Sequence, residues 1–198
     1  MTVRRLFGFA MRYCLMTVAR QRSGTFLIIL LMTLVRPHLG RAAALSVRDQ
    51  QALSTADLVF VATVRRNGTQ SRAAPVWFTL GADNDSILIQ TEQTTWKARR
   101  IARGSPVLVW IGRPDGPAFI GRAEISRDRA LQDKILTDFR RKYLQDRLFG
   151  MGPSRSEFEN GELLAIKITP VRDLPNGFLS HPGAPPPPLR SPSQADGI

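Results

Sequence analysis

At 198 residues, 43% of them hydrophobic, the chain has room for one domain with a real core plus extensions, and wholesale disorder is excluded. A net charge of +12 points first to nucleic acid, but Arg4, Arg5, Arg12, Arg20, Arg22, Arg36, Arg41 and Arg48 all precede the first acidic residue, Asp49. The other 20 basic residues stand against 16 acidic ones, so the domain itself is only mildly basic and no nucleic-acid partner is expected for it.

Residues 1–24 are basic with interspersed apolar residues; residues 25–35 are an unbroken low-polarity run, and Ala42, Ala43 and Ala44 follow. A basic region, an apolar core and an A-x-A site are the parts of a secretory signal. The run falls short of the roughly 20 apolar residues of a spanning helix. The basic region is long for a signal, and Arg36 and Arg41 interrupt the approach to the A-x-A site. The Arg4-Arg5 pair is similar to a twin-arginine signal but lies far from the apolar run. Two readings stay open: export or membrane contact through residues 1–44, or a misassigned start with Met32 as the true one and a cytoplasmic protein.

Residues 46–54 predict a short helix, with Ser46 as N-cap and Asp49 in the capping-box position. A first strand runs over 59–65, and Asn67-Gly68 is a strong hairpin signal. A second strand, 72–80, therefore returns antiparallel, and after the turn cluster at 81–85 a third, 86–91, continues the meander. Thr94 or Thr95 caps a short basic helix that Gly104, Ser105 and Pro106 stop. Strands follow at 107–111 and 118–126. Ala130, Leu131, Ile135, Leu136, Phe139, Tyr143 and Leu144 then fall at helical spacing, predicting one amphipathic helix over 128–148. A last strand, 162–169, is expected to end at Pro170, and the Pro-, Gly- and Ser-rich residues 174–198 read as a disordered tail.

Six strands and two main helices make the fold class α+β, mainly β. A doubly wound parallel sheet would need a helix after nearly every strand, so a small split β-barrel fits better. The expected domains are the extension 1–44, the barrel 45–173 and the tail 174–198.

The single cysteine, Cys14, argues against an intrachain disulfide or zinc cluster, and His38 and His181, the two histidines, lie outside the barrel. That disfavours His-based metal sites, Ser-His-Asp catalysis and ligated haem, so any catalysis is expected to borrow an organic cofactor. The basic helix offers one place for it. Thr95 and the first-turn amides are donors at the positive end of a helix, Lys97 and Arg100 share a face, and Arg99 reaches round from the side. This is either a phosphate clamp or a solvated basic surface. Residues 72–78 are the second place: small residues and Pro75 let a flat ring approach the backbone, while Trp77 could stack and Arg72 could reach a phosphate. Alternatively, Trp77 and Phe78 pack the two faces of an edge strand.

Taken in order, Ala62-Thr63-Val64 with Asn67-Gly68, then Ala74-Pro75-Val76-Trp77-Phe78, then Thr91, Lys97, Arg99, Ile101 and Val107, resemble the FMN-binding split-barrel superfamily. This is the pyridoxamine 5'-phosphate oxidase-like group, which includes deazaflavin-dependent reductases. Residues 120–125, Lys142-Tyr143 and residues 168–172 extend the resemblance over about 46–172. It implies a homodimer with the cofactor, FMN or the 8-hydroxy-5-deazaflavin coenzyme, at the subunit interface. Lys97 and Arg99 or Arg100 would hold the phosphate, helped by Thr91 and Thr95. Ala74, Pro75, Val76 and Trp77 would line the ring, largely through backbone groups, with Arg72 near the phosphate. Trp110 and the Arg122 region are candidates for the partner's side of the site. The C-terminal Arg-x-His segment of true pyridoxamine-phosphate oxidases has no counterpart, which disfavours vitamin B6 oxidation. The expectation is an oxidoreductase moving hydride to or from a small organic substrate. The alternatives are a flavin-holding module without turnover, or a basic-arm binder of nucleic acid or anionic membrane.

Overall fold

The structure is a computed structural model and describes residues 45–188, so the readings that fall on 1–44 lie outside the described residues. α1 (Val47–Thr55) begins as expected, the Ser46 hydroxyl accepting the Asp49 N–H at 3.2 Å. The reciprocal half of that box is not made. The Asp49 carboxylate is fully buried and paired with Arg48 at 3.0 Å instead.

β1 (Val59–Thr63) leads into the Asn67-Gly68 turn, where Gly68 takes φ +78° and Arg65 N–H donates to Thr69 O at 2.8 Å. The returning segment is not the single strand expected over 72–80. It is two: β2 (Ala74–Val76), which pairs with β1, and β3 (Phe78–Leu80), which pairs with β4 (Ile87–Glu92). Then come α2 (Trp96–Ala102), β5 (Val107–Ile111), β6 (Ala118–Ser126), α3 (Arg129–Lys142), α4 (Leu144–Phe149), α5 (Arg155–Glu159) and β7 (Leu163–Asp173).

All the strands pair antiparallel, in the order β2-β1-β5-β6-β7-β4-β3. The two ends of this strip are consecutive in the chain and separated only by Trp77, so the sheet must curl until its ends nearly meet. That curl makes the split barrel. Alternation fills it: Val59, Val61, Val107, Val109, Phe119, Ile166 and Ile168 point into one buried interior. Their neighbours point out into two further clusters. Leu88, Ile135, Phe139, Tyr143 and Phe158 form one beneath α3 and α5. Ala62, Leu108, Trp110, Ile120 and Leu174 form the other, with Phe178 laid against it. Each of these fully buried large side chains contributes about 1.5–3 kcal/mol of transfer free energy.

Three further expectations are corrected. The helix over 128–148 is broken at Tyr143 (φ −105°, ψ 116°), whose hydroxyl accepts the Phe78 N–H at 2.8 Å and donates to Asp57 O at 2.8 Å. The last strand runs through Pro170, which sits opposite Gly121 beside Val171, the extra residue of a bulge in β7, a place that tolerates a residue without an N–H. The tail is not disordered over 174–188. Leu174 N–H donates to Ala118 O at 2.8 Å, Trp110 Nε1 donates to Phe178 O at 2.6 Å, and Gln70 N–H donates to Ala184 O at 2.7 Å. Among the described residues no helix is long and apolar enough to cross a membrane.

Candidate functional site

Two apolar residues seat the basic helix. Ala98 and Ile101 of α2 are buried against the barrel, which leaves Lys97, Arg99 and Arg100 around its exposed sides. Thr95 is the N-cap: its hydroxyl accepts the Ala98 N–H at 3.1 Å, donates to Glu92 O at 2.8 Å and lies 3.2 Å from the Thr91 hydroxyl. The cap therefore uses one of the first-turn amides counted on for an anion. In a helix of seven residues, the side chains are left to do most of any anion binding.

Those side chains are cationic and unmatched. Among the described residues no carboxylate pairs with Lys97, Arg99 or Arg100. Lys97 is half-buried with no hydrogen-bond partner among the described residues, and burial brings its ammonium down to about 8. Arg99 and Arg100 lie over the exposed Trp96 ring, 5.1 and 5.9 Å from its centroid. Arg100 is pushed below its ordinary range by burial and by the charges of Arg65 and Arg103, so three guanidiniums gather at one corner.

The same corner meets the second sequence motif. Arg100 Nη1 donates to the Thr63 hydroxyl at 3.1 Å, and that hydroxyl lies 3.3 Å from the hydroxyl of Ser71, the residue before Arg72. Thr63 N–H also donates to Ser71 Oγ at 2.9 Å. The fold thus brings α2 and the start of the Arg72 segment together through two buried hydroxyls. Sequence reasoning missed both, although a Thr closing an otherwise apolar strand was a visible signal.

Beyond Ser71 the chain opens onto a cavity of about 520 Å³ lined by Phe60, Arg72, Ala73, Ala74, Pro75, Pro114, Ser180 and Pro182. Arg72, Ala74 and Pro75 share this cavity, whereas Val76 packs towards the barrel interior. Trp77 stays out of it. Its ring is stacked on Tyr143, centroids 4.4 Å apart and planes 7° from parallel, and meets Phe139 edge-on at 5.9 Å. The packing reading of Trp77 is what the structure shows for its side chain. Trp110 is likewise fully buried within its own chain. Arg122 is exposed and borders a cavity of about 720 Å³ between the end of α2 and β6.

An antiparallel strip whose two edges are consecutive three-residue strands, with a basic helix between β4 and β5, defines the split β-barrel class. A sequence profile described as pyridoxamine 5'-phosphate oxidase matches residues 48–174, and the chain belongs to that family. Solved structures similar to it include a Listeria innocua protein provisionally named a pyridoxamine 5'-phosphate oxidase (16% identity, 63% of this chain and 91% of that one, TM-score 0.47). General stress protein 26 of Bacillus anthracis (21%, 62% and 88%, 0.43) and an F420 reductase (18%, 63% and 94%, 0.44) are also similar. The family assignment rests on the sequence profile and not on these distant likenesses. No curated protein matches the chain.

Proposed function

We propose that this protein binds a flavin-type cofactor, FMN or 8-hydroxy-5-deazaflavin, by its phosphate on α2 and moves hydride between that cofactor and a small organic substrate. The observation that carries the reading is Lys97: a half-buried ammonium, depressed by burial and without a counter-ion among the described residues, is costly unless an anion joins it. A phosphate fits the donor set. Lys97, Arg99 and Arg100 supply charge, and the Thr91 hydroxyl, next to the Thr95 cap, supplies short-range hydrogen bonding. FMN and the deazaflavin share that phosphate, so one clamp serves either.

When bound, the ring of such a cofactor supplies the hydride chemistry. The chain's own part is to hold and orient. Arg100 is kept in place by Thr63, and the short side chains of Ala73 and Ala74 leave the β2 backbone open to a flat ring. The family resemblance extends the proposal to a homodimer with the cofactor between subunits.

The test is titration of the full chain with FMN and with the deazaflavin, followed by fluorescence, with sedimentation to read the assembly. Saturable binding of one cofactor to a folded dimer supports the proposal; a folded protein that binds neither overturns it. Saturable binding with no reductase activity over a substrate screen would leave a cofactor-holding module.

A further inference from the structure

The segment after β7 crosses the barrel wall between two anchors. At one, Phe178 stacks on Trp110 with centroids 6.2 Å apart and its carbonyl accepts the Trp110 Nε1 hydrogen. At the other, Gln70 and the segment exchange backbone hydrogen bonds: Gln70 N–H to Ala184 O at 2.7 Å and Gly183 N–H to Gln70 O at 3.0 Å, with Gln70 Nε2 to Pro185 O at 3.1 Å. Between the anchors, Ser180 and Pro182 stand opposite Phe60, Arg72 and Pro75, and the space they enclose is the cavity of about 520 Å³. That lies within the range of about 300–1,000 Å³ usual for small-molecule sites.

The lining is chemically lopsided. Its only charge is the Arg72 guanidinium, which has no partner among the described residues, and no acid faces it. The Ser180 hydroxyl oxygen is buried without a hydrogen-bond partner, and an orphaned buried hydroxyl is costly unless a ligand satisfies it. The remaining walls are an aromatic ring, two alanines and three prolines, which offer flat apolar faces and little conformational freedom.

We propose that this cavity is a binding site for a small planar carboxylate of one or two rings, closed on one side by the C-terminal segment. The carboxylate sits on Arg72 in the forked geometry that a guanidinium favours, and Ser180 contributes a further hydrogen bond. The ring system lies among Phe60 and the prolines. The site stands on its own lining; only the claim that this carboxylate is the hydride partner rests on the proposed cofactor reading.

The full-length protein is titrated calorimetrically with benzoate, 2-naphthoate and the neutral isostere benzamide, each with and without FMN. Both carboxylates are expected to bind at least tenfold tighter than benzamide, and Arg72→Gln to erase the difference. Ser180→Phe, which fills the cavity, is expected to abolish carboxylate binding in both titrations. Equal affinity for benzoate and benzamide, or unchanged benzoate affinity in Arg72→Gln, overturns the site. FMN binding without carboxylate binding overturns it too and leaves the cofactor reading in place. Carboxylate binding that depends on Arg72, in a protein that takes up neither flavin nor deazaflavin, upholds the site and removes the cofactor reading.

Discussion

The indole of Trp77 lies flat on the phenol of Tyr143, ring centroids 4.4 Å apart, at the one residue that separates β2 from β3. This stack pins the seam of the barrel to the end of α3. Trp77→Ala should therefore destabilise the fold by about 3 kcal/mol, the lower end for loss of a large aromatic since the residue is only half-buried. Chemical denaturation would read this. A loss below about 1 kcal/mol, the size expected of an ordinary surface change, would show that the seam is held elsewhere.

Tyr143 tests the same seam through hydrogen bonds. Its hydroxyl accepts from Phe78 N–H and donates to Asp57 O, both at 2.8 Å. Tyr143→Phe keeps the ring stack but orphans a buried amide, at a cost of about 1–3 kcal/mol. Hydrogen exchange at the Phe78 amide should accelerate by a matching factor.

At Lys97, function and stability should pull apart. Lys97→Met removes a half-buried unpaired charge and keeps most of the packing, so denaturation stability should hold or rise, while FMN affinity should fall at least tenfold. Arg100→Ala should also weaken FMN, but with some loss of stability because the Thr63 hydroxyl loses its donor. Unchanged FMN affinity in both variants would remove α2 from the binding site.

The pH dependence follows from the same group. Burial holds Lys97 at about 8, and a cofactor phosphate takes its second charge near 6, at about the value of phosphorylated side chains. FMN affinity should rise through about pH 6 and decline above about pH 8. For the cofactor-free protein the sign differs. Lys97 and Lys142, both lowered to about 8 chiefly by burial, bind fewer protons folded than unfolded between pH 8 and their ordinary 10.5, so stability should increase across that window. Tyr143, pushed up to about 12 by burial, opposes this only above pH 10. Urea midpoints at pH 8 and pH 10 would show the rise, and Lys97→Met should diminish it.

Opposite the β7 bulge, a Cβ added to Gly121 would stand 2.7 Å from Ile168 Cγ2 and 3.1 Å from Thr169 O. Gly121→Ala should cost about 1–3 kcal/mol by overpacking. Thermal unfolding would measure it, and a neutral result would mean that β6 and β7 have slack at their bulge.

Much of this fold was legible because its signals are local. The Asn67-Gly68 turn, the Thr95 cap and the apolar run of residues 107–111 act within a few residues, and each holds as read. What escaped depends on distant partners. Val76 and Phe78 face inward and Trp77 outward, so alternation runs unbroken through the seam and cannot show that β1 claims one side and β4 the other. Helical spacing carries on past Tyr143, and the break there comes from its hydroxyl binding Asp57, which lies 86 residues earlier. The tail looked disordered by composition, yet prolines need no ladder hydrogen bonds, and Phe178 with Ala184 suffices to fasten it. Of the candidate site, the cations and small residues were readable as types. Their convergence through Thr63 and Ser71, and the stacking of Trp77 on Tyr143, were not.

The brevity of the two seam strands bears on how the protein behaves in a crowded solution. An exposed sheet edge is a template onto which another chain can add, and long flat edges polymerise. Here each edge offers three residues, and the β2 edge carries Pro75, exposed and without an N–H, at its centre. Such edges give a passing strand almost nothing to extend, so the opening that splits the barrel is also its guard against fibril growth.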